Sequence, residues 1–144
     1  MARLVSTLAR VDPEGQVVRL TPGRPYAELA ALYAGADAFV FASTCENMPN
    51  SLLEAMAAGL PIVCSDRAPM PDLLGEGGVY CNSHVPDSIA DAMRRVMLEP
   101  DLRTRLASVA NHRGREYDWT KCARQTFEFL AEIRHRAVTP VGRA

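Results

Sequence analysis

The sequence predicts a doubly wound α/β fold, in which helices cover both faces of a parallel sheet. Residues 38–42 form an apolar run without polar alternation, which is typical of a strand covered on both faces, and residues 61–65 are predicted to form the next buried strand. A helical pattern lies between them, and the connections are only a few residues long. Strand, helix and strand in this order form parallel neighbours through right-handed crossovers.

The elements of the first half follow from apolar spacing and from proline and glycine. A β-branched run at residues 17–20 predicts a strand, and residues 26–33 carry apolar side chains at helical spacing until Gly35. Residues 38–42 are then expected to form a central strand of the sheet. Pro49 suits the first turn of the next helix, which continues to Gly59 and leads into the strand at 61–65.

The second half is predicted to be mostly helical. A short helix at 72–74, a glycine-rich turn at 75–78 and a brief strand at 79–81 come first. Asp87 or Ser88 is expected to cap a helix that ends before Pro100. A second helix carries residues 102–110, and a third begins near Thr120 and forms a helical carboxy-terminal extension. Trp119 is expected to lie in the core, and residues 137–144 to form a frayed tail.

Composition and charge exclude several classes of protein. The chain has 48% hydrophobic and 23% charged residues, the balance of an ordinary globular domain, and a net charge of -1 that does not favour nucleic-acid binding. No apolar run approaches the ~20 residues of a transmembrane helix, and no export signal is apparent. We therefore expect a cytoplasmic protein with reduced cysteines. Its histidines and cysteines do not cluster, so no metal site is predicted.

The segment at residues 43–54 is the strongest candidate for a functional site. It leaves the end of a predicted strand and opens a helix, the place where open α/β sheets bind ligands. The first amides of a helix lack internal partners and lie at the positive end of its dipole. The run Pro49, Asn50, Ser51 and Leu52 could therefore hold a diphosphate without a lysine.

Two carboxylates, Glu46 and Glu54, lie on either side of this candidate anion site. Ionised carboxylates only accept hydrogen bonds, so hydroxyl pairs of a ribose and of a sugar would suit them. A nucleotide-sugar has this layout, with a diphosphate in the middle. The alternative interpretation is that Glu46 is a solvated loop acid and Glu54 an ordinary acid on a helix surface.

These residues resemble the retaining group 1 glycosyltransferases of the GT-B fold. The family's second domain, a Rossmann-like unit, carries an acid, seven residues and a second acid, as Glu46 and Glu54 do. The resemblance extends through ELAALYAGADAFVFAS at 28–43 and LEAMAAGLPIVCSD at 53–66, and covers about residues 15–133. It implies that the chain is one partial glycosyltransferase domain, the carboxy-terminal, nucleotide-sugar-binding half of such an enzyme.

The resemblance also implies roles for the candidate residues. Glu54 would bind the donor ribose, and Glu46 would contact the transferred sugar and support its transfer, with retention, to a glycan or lipid acceptor. The donor would also be held by Asn47, Met48, Pro49, Asn50, Ser51 and Leu52. No cofactor and no metal are implied.

The chain departs from the family at its amino end. The acceptor-binding domain has no counterpart, and the strands and cationic residues that precede the family's donor site are also expected to be missing, with residues 1–14 a remnant of a preceding helix and loop. Neither Arg24 nor Arg67 is expected to replace those cations. Two hypotheses remain open: a partner chain supplies the missing half of an enzyme, or the chain is a non-catalytic nucleotide-sugar-binding module. A nicotinamide dehydrogenase is excluded because no predicted strand is followed by G-x-G-x-x-G.

Overall fold

A computed structural model describes residues 2–138 of the chain, and these form three strands and seven α-helices. By its internal contacts the chain divides into two compact units, Met1–Leu32 and Tyr33–Ala144. The elements in chain order are α1 (Ala2–Val11), α2 (Tyr26–Ala34), β1 (Phe39–Phe41), α3 (Asn50–Ala57), β2 (Ile62–Ser65), α4 (Met70–Leu74), a 3₁₀ turn (Gly75–Gly77), β3 (Gly78–Cys81), α5 (Pro86–Leu98), α6 (Pro100–Gly114) and α7 (Trp119–Val138).

The strand predicted at residues 17–20 is wrong, because this segment is an irregular loop. The carboxylate of Asp12 accepts hydrogen bonds from the backbone N–H groups of Gln16, Val17 and Val18 at 3.0, 3.0 and 2.6 Å. These bonds, that of Val18 foremost, lower the pKa of Asp12. The Val17 and Val18 amides thus donate to a side chain instead of to a neighbouring strand, and Val17 is 87% exposed.

The three strands form one parallel sheet in the order β1, β2, β3, which confirms the parallel pairing predicted for strands joined through helices. Every residue of β2 is buried, so β2 is the central strand. The expectation that residues 38–42 form a central strand is wrong: within the described residues β1 pairs only with β2, and Val40 is 40% exposed. An apolar run indicates burial but does not reveal how many neighbouring strands lie beside it.

Helices cover both faces of the sheet, and alternate residues of β2 contact different layers. Ile62 and Cys64 lie in a cluster with α3, α4 and the end of α6, whereas Val63 lies in a second cluster with α5 and the first part of α6. The buried members of the first cluster are Leu52, Ala55, Met56, Leu60, Ile62, Cys64, Met70, Leu74 and Ala110. Those of the second are Val63, Val79, Cys81, Ala92, Val96, Leu102 and Leu106.

Polar side chains of α6 bind the carboxyl ends of two other helices. The Nδ2 group of Asn111 donates to the carbonyl oxygen of Ala57, the last residue of α3, at 2.8 Å. The guanidinium of Arg113 donates to the carbonyl oxygens of Leu73 and Asp72 in α4, both at 2.9 Å. Because the last carbonyls of a helix lack partners within it, these bonds fix α3 and α4 against α6.

Two predictions about helix starts are wrong. Neither Asp87 nor Ser88 caps α5, whose N-cap is Val85. The Ser88 hydroxyl instead accepts a hydrogen bond from the backbone N–H group of Asn82 at 3.0 Å. Trp119 does not lie in the core, since it is 80% exposed at the start of α7. The described side chains of α7 from Trp119 to Arg136 are all exposed. Most of the predicted tail, residues 139–144, lies outside the described residues.

Between residues 2 and 138, no helix has the length and apolar character needed to cross a membrane.

Gly114, the last residue of α6, offers a test of the close approach of α6 to α3. A Cβ atom there would lie 3.1 Å from the backbone nitrogen of Ala57 and from the carbonyl carbon of Met56. Since these are backbone atoms of a packed helix, we expect Gly114→Val to lower the free energy of unfolding by about 2–3 kcal/mol in urea titrations. The matched control is Gly23→Val, where no atom lies within 4 Å of the added Cβ; a change of at most about 0.5 kcal/mol is expected. Equal effects of the two substitutions would contradict this packing.

Candidate functional site

The segment predicted to bind a ligand lies beyond the carboxyl end of β1. That strand ends at Phe41, and an irregular loop then leads to Asn50, the first residue of α3. In a parallel sheet the carboxyl ends of all strands meet at one edge, so this loop lies at the edge where open α/β sheets bind ligands. The predicted relation between strand, loop and helix is therefore confirmed.

The position of α3 depends on apolar burial. Leu52, Ala55 and Met56 are completely buried, and Pro49 at the N-cap is buried as well. Ser51 and Glu54 lie on another side of the helix and are only partly buried. The apolar face thus fixes α3 on the sheet while its polar residues remain accessible to a ligand.

No side chain caps the amino end of α3. The amides of Asn50 and Leu52 donate to the carbonyl oxygens of Met48 and Pro49, at 3.0 and 2.9 Å. Pro49 has no N–H group, and within residues 2–138 the amides of Asn47, Met48 and Ser51 donate to no other group. Of the residues from Asn47 to Leu52, only Asn47, Met48 and Ser51 therefore have unpaired amides within residues 2–138.

Glu54, in the second turn of α3, has a specific partner. The hydroxyl of Tyr33 lies 3.0 Å from its Oε2 atom, and 3.4 Å from the carbonyl oxygen of Ser51. Because a phenol carries one proton, the shorter and charge-assisted bond to the carboxylate is the stronger of the two. One carboxylate oxygen of Glu54 is therefore bound by the protein itself.

Tyr33 was not identified as a site residue from the sequence, where it counts only as an apolar position of a helix. Its ring packs against the first core cluster and tilts against Phe39, with ring centroids 5.8 Å apart. Phe39 in turn stacks on Phe41, at 6.0 Å. A signal for its role was available, since a tyrosine in an apolar helical stripe needs a hydrogen-bond partner for its hydroxyl.

Glu46 lies in the loop and is partly buried, whereas its neighbours Cys45, Asn47 and Met48 are exposed. Within residues 2–138, neither Glu46 nor Glu54 forms a salt bridge. The acidic groups at this edge are therefore not neutralised by the basic residues of the described chain, and both can accept hydrogen bonds from hydroxyl groups of a ligand.

The two arginines considered near the site form local ion pairs. Arg24 lies 3.4 Å from Glu28, and Arg67 lies 3.6 Å from Asp66. All four side chains are about half exposed, so each pair contributes little to stability. Among residues 2–138, no three His, Cys, Asp or Glu side chains are grouped so that they could hold a metal ion.

The four cysteines are unpaired and differ in exposure. Cys64 and Cys81 are buried in β2 and β3, whereas Cys45 and Cys122 are exposed. Burial, with a smaller contribution from Cys81, raises the pKa of Cys64 to about 12. Burial also raises the pKa of Cys81.

Comparison with known proteins identifies glycosyltransferases among the relatives of this chain. A family model described as "Glycosyl transferases group 1" matches residues 13–113. Curated relatives include the O-antigen chain mannosyltransferase B of Escherichia coli, 28% identical over 71% of this chain and 27% of that protein. The D-inositol 3-phosphate glycosyltransferase of Actinosynnema mirum is 34% identical over 79% of this chain and 28% of its own length. The chain thus spans little more than a quarter of the curated relatives that it matches.

Solved structures show the same architecture. Sucrose-phosphate synthase from Thermosynechococcus elongatus superposes with a TM-score of 0.80 and 21% identity, over 93% of this chain and 34% of that one. Trehalose 6-phosphate synthase from Burkholderia multivorans gives a TM-score of 0.73 and 18% identity, over 99% of this chain and 33% of its own. At these identities the likeness establishes the fold, which is that of GT-B glycosyltransferases.

The difference between the buried and the exposed cysteines predicts selective alkylation. At about pH 8, Cys64 and Cys81 remain protonated because burial raises their pKa, and burial also blocks access to the reagent. We therefore expect iodoacetamide to modify Cys45 and Cys122 of the folded chain and to modify all four residues in urea, as measured by peptide mass spectrometry. Rapid modification of Cys64 in the folded chain would contradict the buried position of β2.

Proposed function

This chain belongs to the group 1 glycosyl transferases, and on that premise we propose that it is the donor-binding half of a retaining enzyme. The reaction would transfer a sugar from a nucleotide-sugar to a glycan or lipid acceptor. The proposal rests chiefly on α3, whose amino end lies uncapped at the carboxyl edge of the sheet, between Glu46 and the tyrosine-bound Glu54. An uncapped helix start favours an anion, and the diphosphate of a nucleotide-sugar is such an anion.

Each candidate residue would take one part of the donor. Unpaired amides of Asn47, Met48 and Ser51 would donate to the diphosphate or to the sugar. Pro49, Asn50 and Leu52 would form the helix start that holds these amides in place. Glu54 would accept hydrogen bonds from the ribose hydroxyls, and Glu46 from hydroxyls of the transferred sugar. The chemical contribution would be to stabilise the charge that develops on the departing diphosphate.

An acceptor-binding part would have to come from outside these residues, and we propose a partner chain. The curated relatives named above match this chain over little more than a quarter of their length. The exposed helix α7 supports a partner, because Phe127, Leu130 and Ile133 recur at helical spacing and are 71%, 54% and 45% exposed. An apolar stripe of this kind is typical of a surface that another protein covers.

A non-catalytic nucleotide-sugar-binding module is the second candidate, and the two local ion pairs favour it. Arg24 is paired with Glu28 and Arg67 with Asp66, so each guanidinium already has a carboxylate partner in its own segment. Without a cation the diphosphate would leave more slowly, because its developing charge would be met by amides alone. Such a chain would retain affinity for the donor without turnover.

The cytoplasm is the proposed compartment. All four cysteines are unpaired, which is the ordinary state of thiols in a reducing compartment, and activated sugars are the substrate that this proposal requires.

Cys45 offers a test of where the donor binds, because it is exposed directly beside Glu46. We expect a UDP-sugar or GDP-sugar that binds this chain to slow alkylation of Cys45 severalfold, since the bound ligand would cover the loop. Cys122, an exposed thiol at the start of α7, is the internal control and should react at an unchanged rate. Equal protection of both thiols, or protection of neither by a ligand shown to bind, would place the donor elsewhere.

A substitution of Glu46 separates the two candidate functions. If Glu46 contacts the transferred sugar, Glu46→Ala should weaken binding of the nucleotide-sugar by about 1–3 kcal/mol and leave binding of the matching nucleoside diphosphate unchanged in calorimetry. Transfer by a complex with a partner chain should fall by about 10²–10³, and the anomeric configuration of the product would report retention. Binding that is insensitive to Glu46→Ala, together with no release of nucleoside diphosphate, would favour the non-catalytic module.

A further inference from the structure

The hydrogen bond between Tyr33 and Glu54 joins two residues of the second compact unit. Tyr33 belongs to the last turn of α2 and Glu54 to the second turn of α3, 21 residues later. The hydroxyl donates to Oε2 at 3.0 Å, and no described residue donates to Oε1 of the same carboxylate. One carboxylate oxygen is therefore bound by the protein, and the other retains its acceptor sites.

The tyrosine hydroxyl is held in place by its own ring. That ring packs on the first core cluster and against Phe39, which stacks on Phe41 of the same strand. The ring has two side-chain torsions, and this packing restricts both of them. The hydroxyl is thus a fixed point from which the longer and more flexible side chain of Glu54 can be oriented.

A glutamate without such a partner would sample several rotamers. Ordering a flexible side chain costs about 1 kcal/mol or more of conformational entropy, and a ligand would meet that cost on binding. The bond from Tyr33 orders Glu54 beforehand, which is the general route by which preorganisation increases affinity. It also determines which oxygen of the carboxylate is available to a ligand.

We propose that Tyr33 is a positioning residue for Glu54, and that it sets the preference of the donor site for a ribose over a deoxyribose. This inference rests on the proposed function, in which Glu54 accepts hydrogen bonds from the ribose hydroxyls. Tyr33 touches no ligand in this scheme. It acts by directing Oε1 of Glu54 toward the pair of hydroxyls that distinguishes the two sugars.

The test compares ribonucleotides with deoxyribonucleotides in calorimetry. The probes are UDP and GDP with their 2′-deoxy and 3′-deoxy forms, and the variant is Tyr33→Phe, which keeps the packed ring and removes only the hydroxyl. We expect the variant to bind the ribonucleotide about three- to tenfold more weakly and the deoxynucleotides with unchanged affinity. The affinity ratio of ribonucleotide to deoxynucleotide should therefore fall in Tyr33→Phe. When Glu54→Gln is already present, adding Tyr33→Phe should change the affinity for the ribonucleotide little further.

Tyr117→Phe is the matched control. The Tyr117 ring is also partly buried against the first core cluster, and its hydroxyl makes no hydrogen bond within residues 2–138. This variant should retain both the affinity and the preference for ribose of the unaltered chain. Urea midpoints of both variants check that the fold is intact.

The outcomes separate failure of this inference from failure of the proposed function. Binding with a ribose preference that Tyr33→Phe leaves intact overturns the positioning role alone. An equal loss for ribo- and deoxyribonucleotides also overturns it, because a merely structural tyrosine would weaken both. If the unaltered chain binds none of these nucleotides, or binds them without regard to the ribose hydroxyls, the proposed role of Glu54 fails, and the role of Tyr33 fails with it.

Discussion

The burial of three side chains of α3 is the constraint on which the candidate site depends. An eight-residue helix is not stable by itself in water, so the position of α3 is determined by packing. Leu52, Ala55 and Met56 are completely buried between the sheet and α6, and each such side chain contributes about 1.5–3 kcal/mol, less for alanine. Because Ser51 and Glu54 lie on another side of the same helix, the burial of these three residues also determines where the polar side of the helix faces.

Much of the fold could be predicted from the sequence, because its strands and helices differ in apolar period and are separated by proline or glycine. The exceptions concern partners that residue type alone does not specify. Residues 17–20 have strand-forming side chains, yet the carboxylate of Asp12 binds the amides of Val17 and Val18. The apolar residues of β1 were expected in a central strand, but β1 pairs on one side only within the described chain. Local propensity does not encode which of these contacts is made.

The candidate site was predicted only in part. The loop, the helix start and the two glutamates could be located because their spacing relates directly to a strand that ends and a helix that begins. The contact with Tyr33 could not be located: a tyrosine in an apolar stripe indicates that its hydroxyl needs a partner, but the sequence does not show that this partner is Glu54. The sequence also could not show which amides at the start of α3 are paired and which are unpaired. This depends on the backbone torsions at Pro49 and not on residue type.

The bonds from Asn111 and Arg113 to the ends of α3 and α4 have a consequence for biosynthesis. These side chains lie 54 and 40 residues along the chain from the carbonyl groups of Ala57 and Leu73 that they bind. On the ribosome, the loop and helix of the candidate site emerge long before the helix that fastens them. The nascent chain can therefore complete this edge of the sheet only after α6 has left the exit tunnel. Premature termination before that point would release a product in which every donor-site residue is present but unsupported.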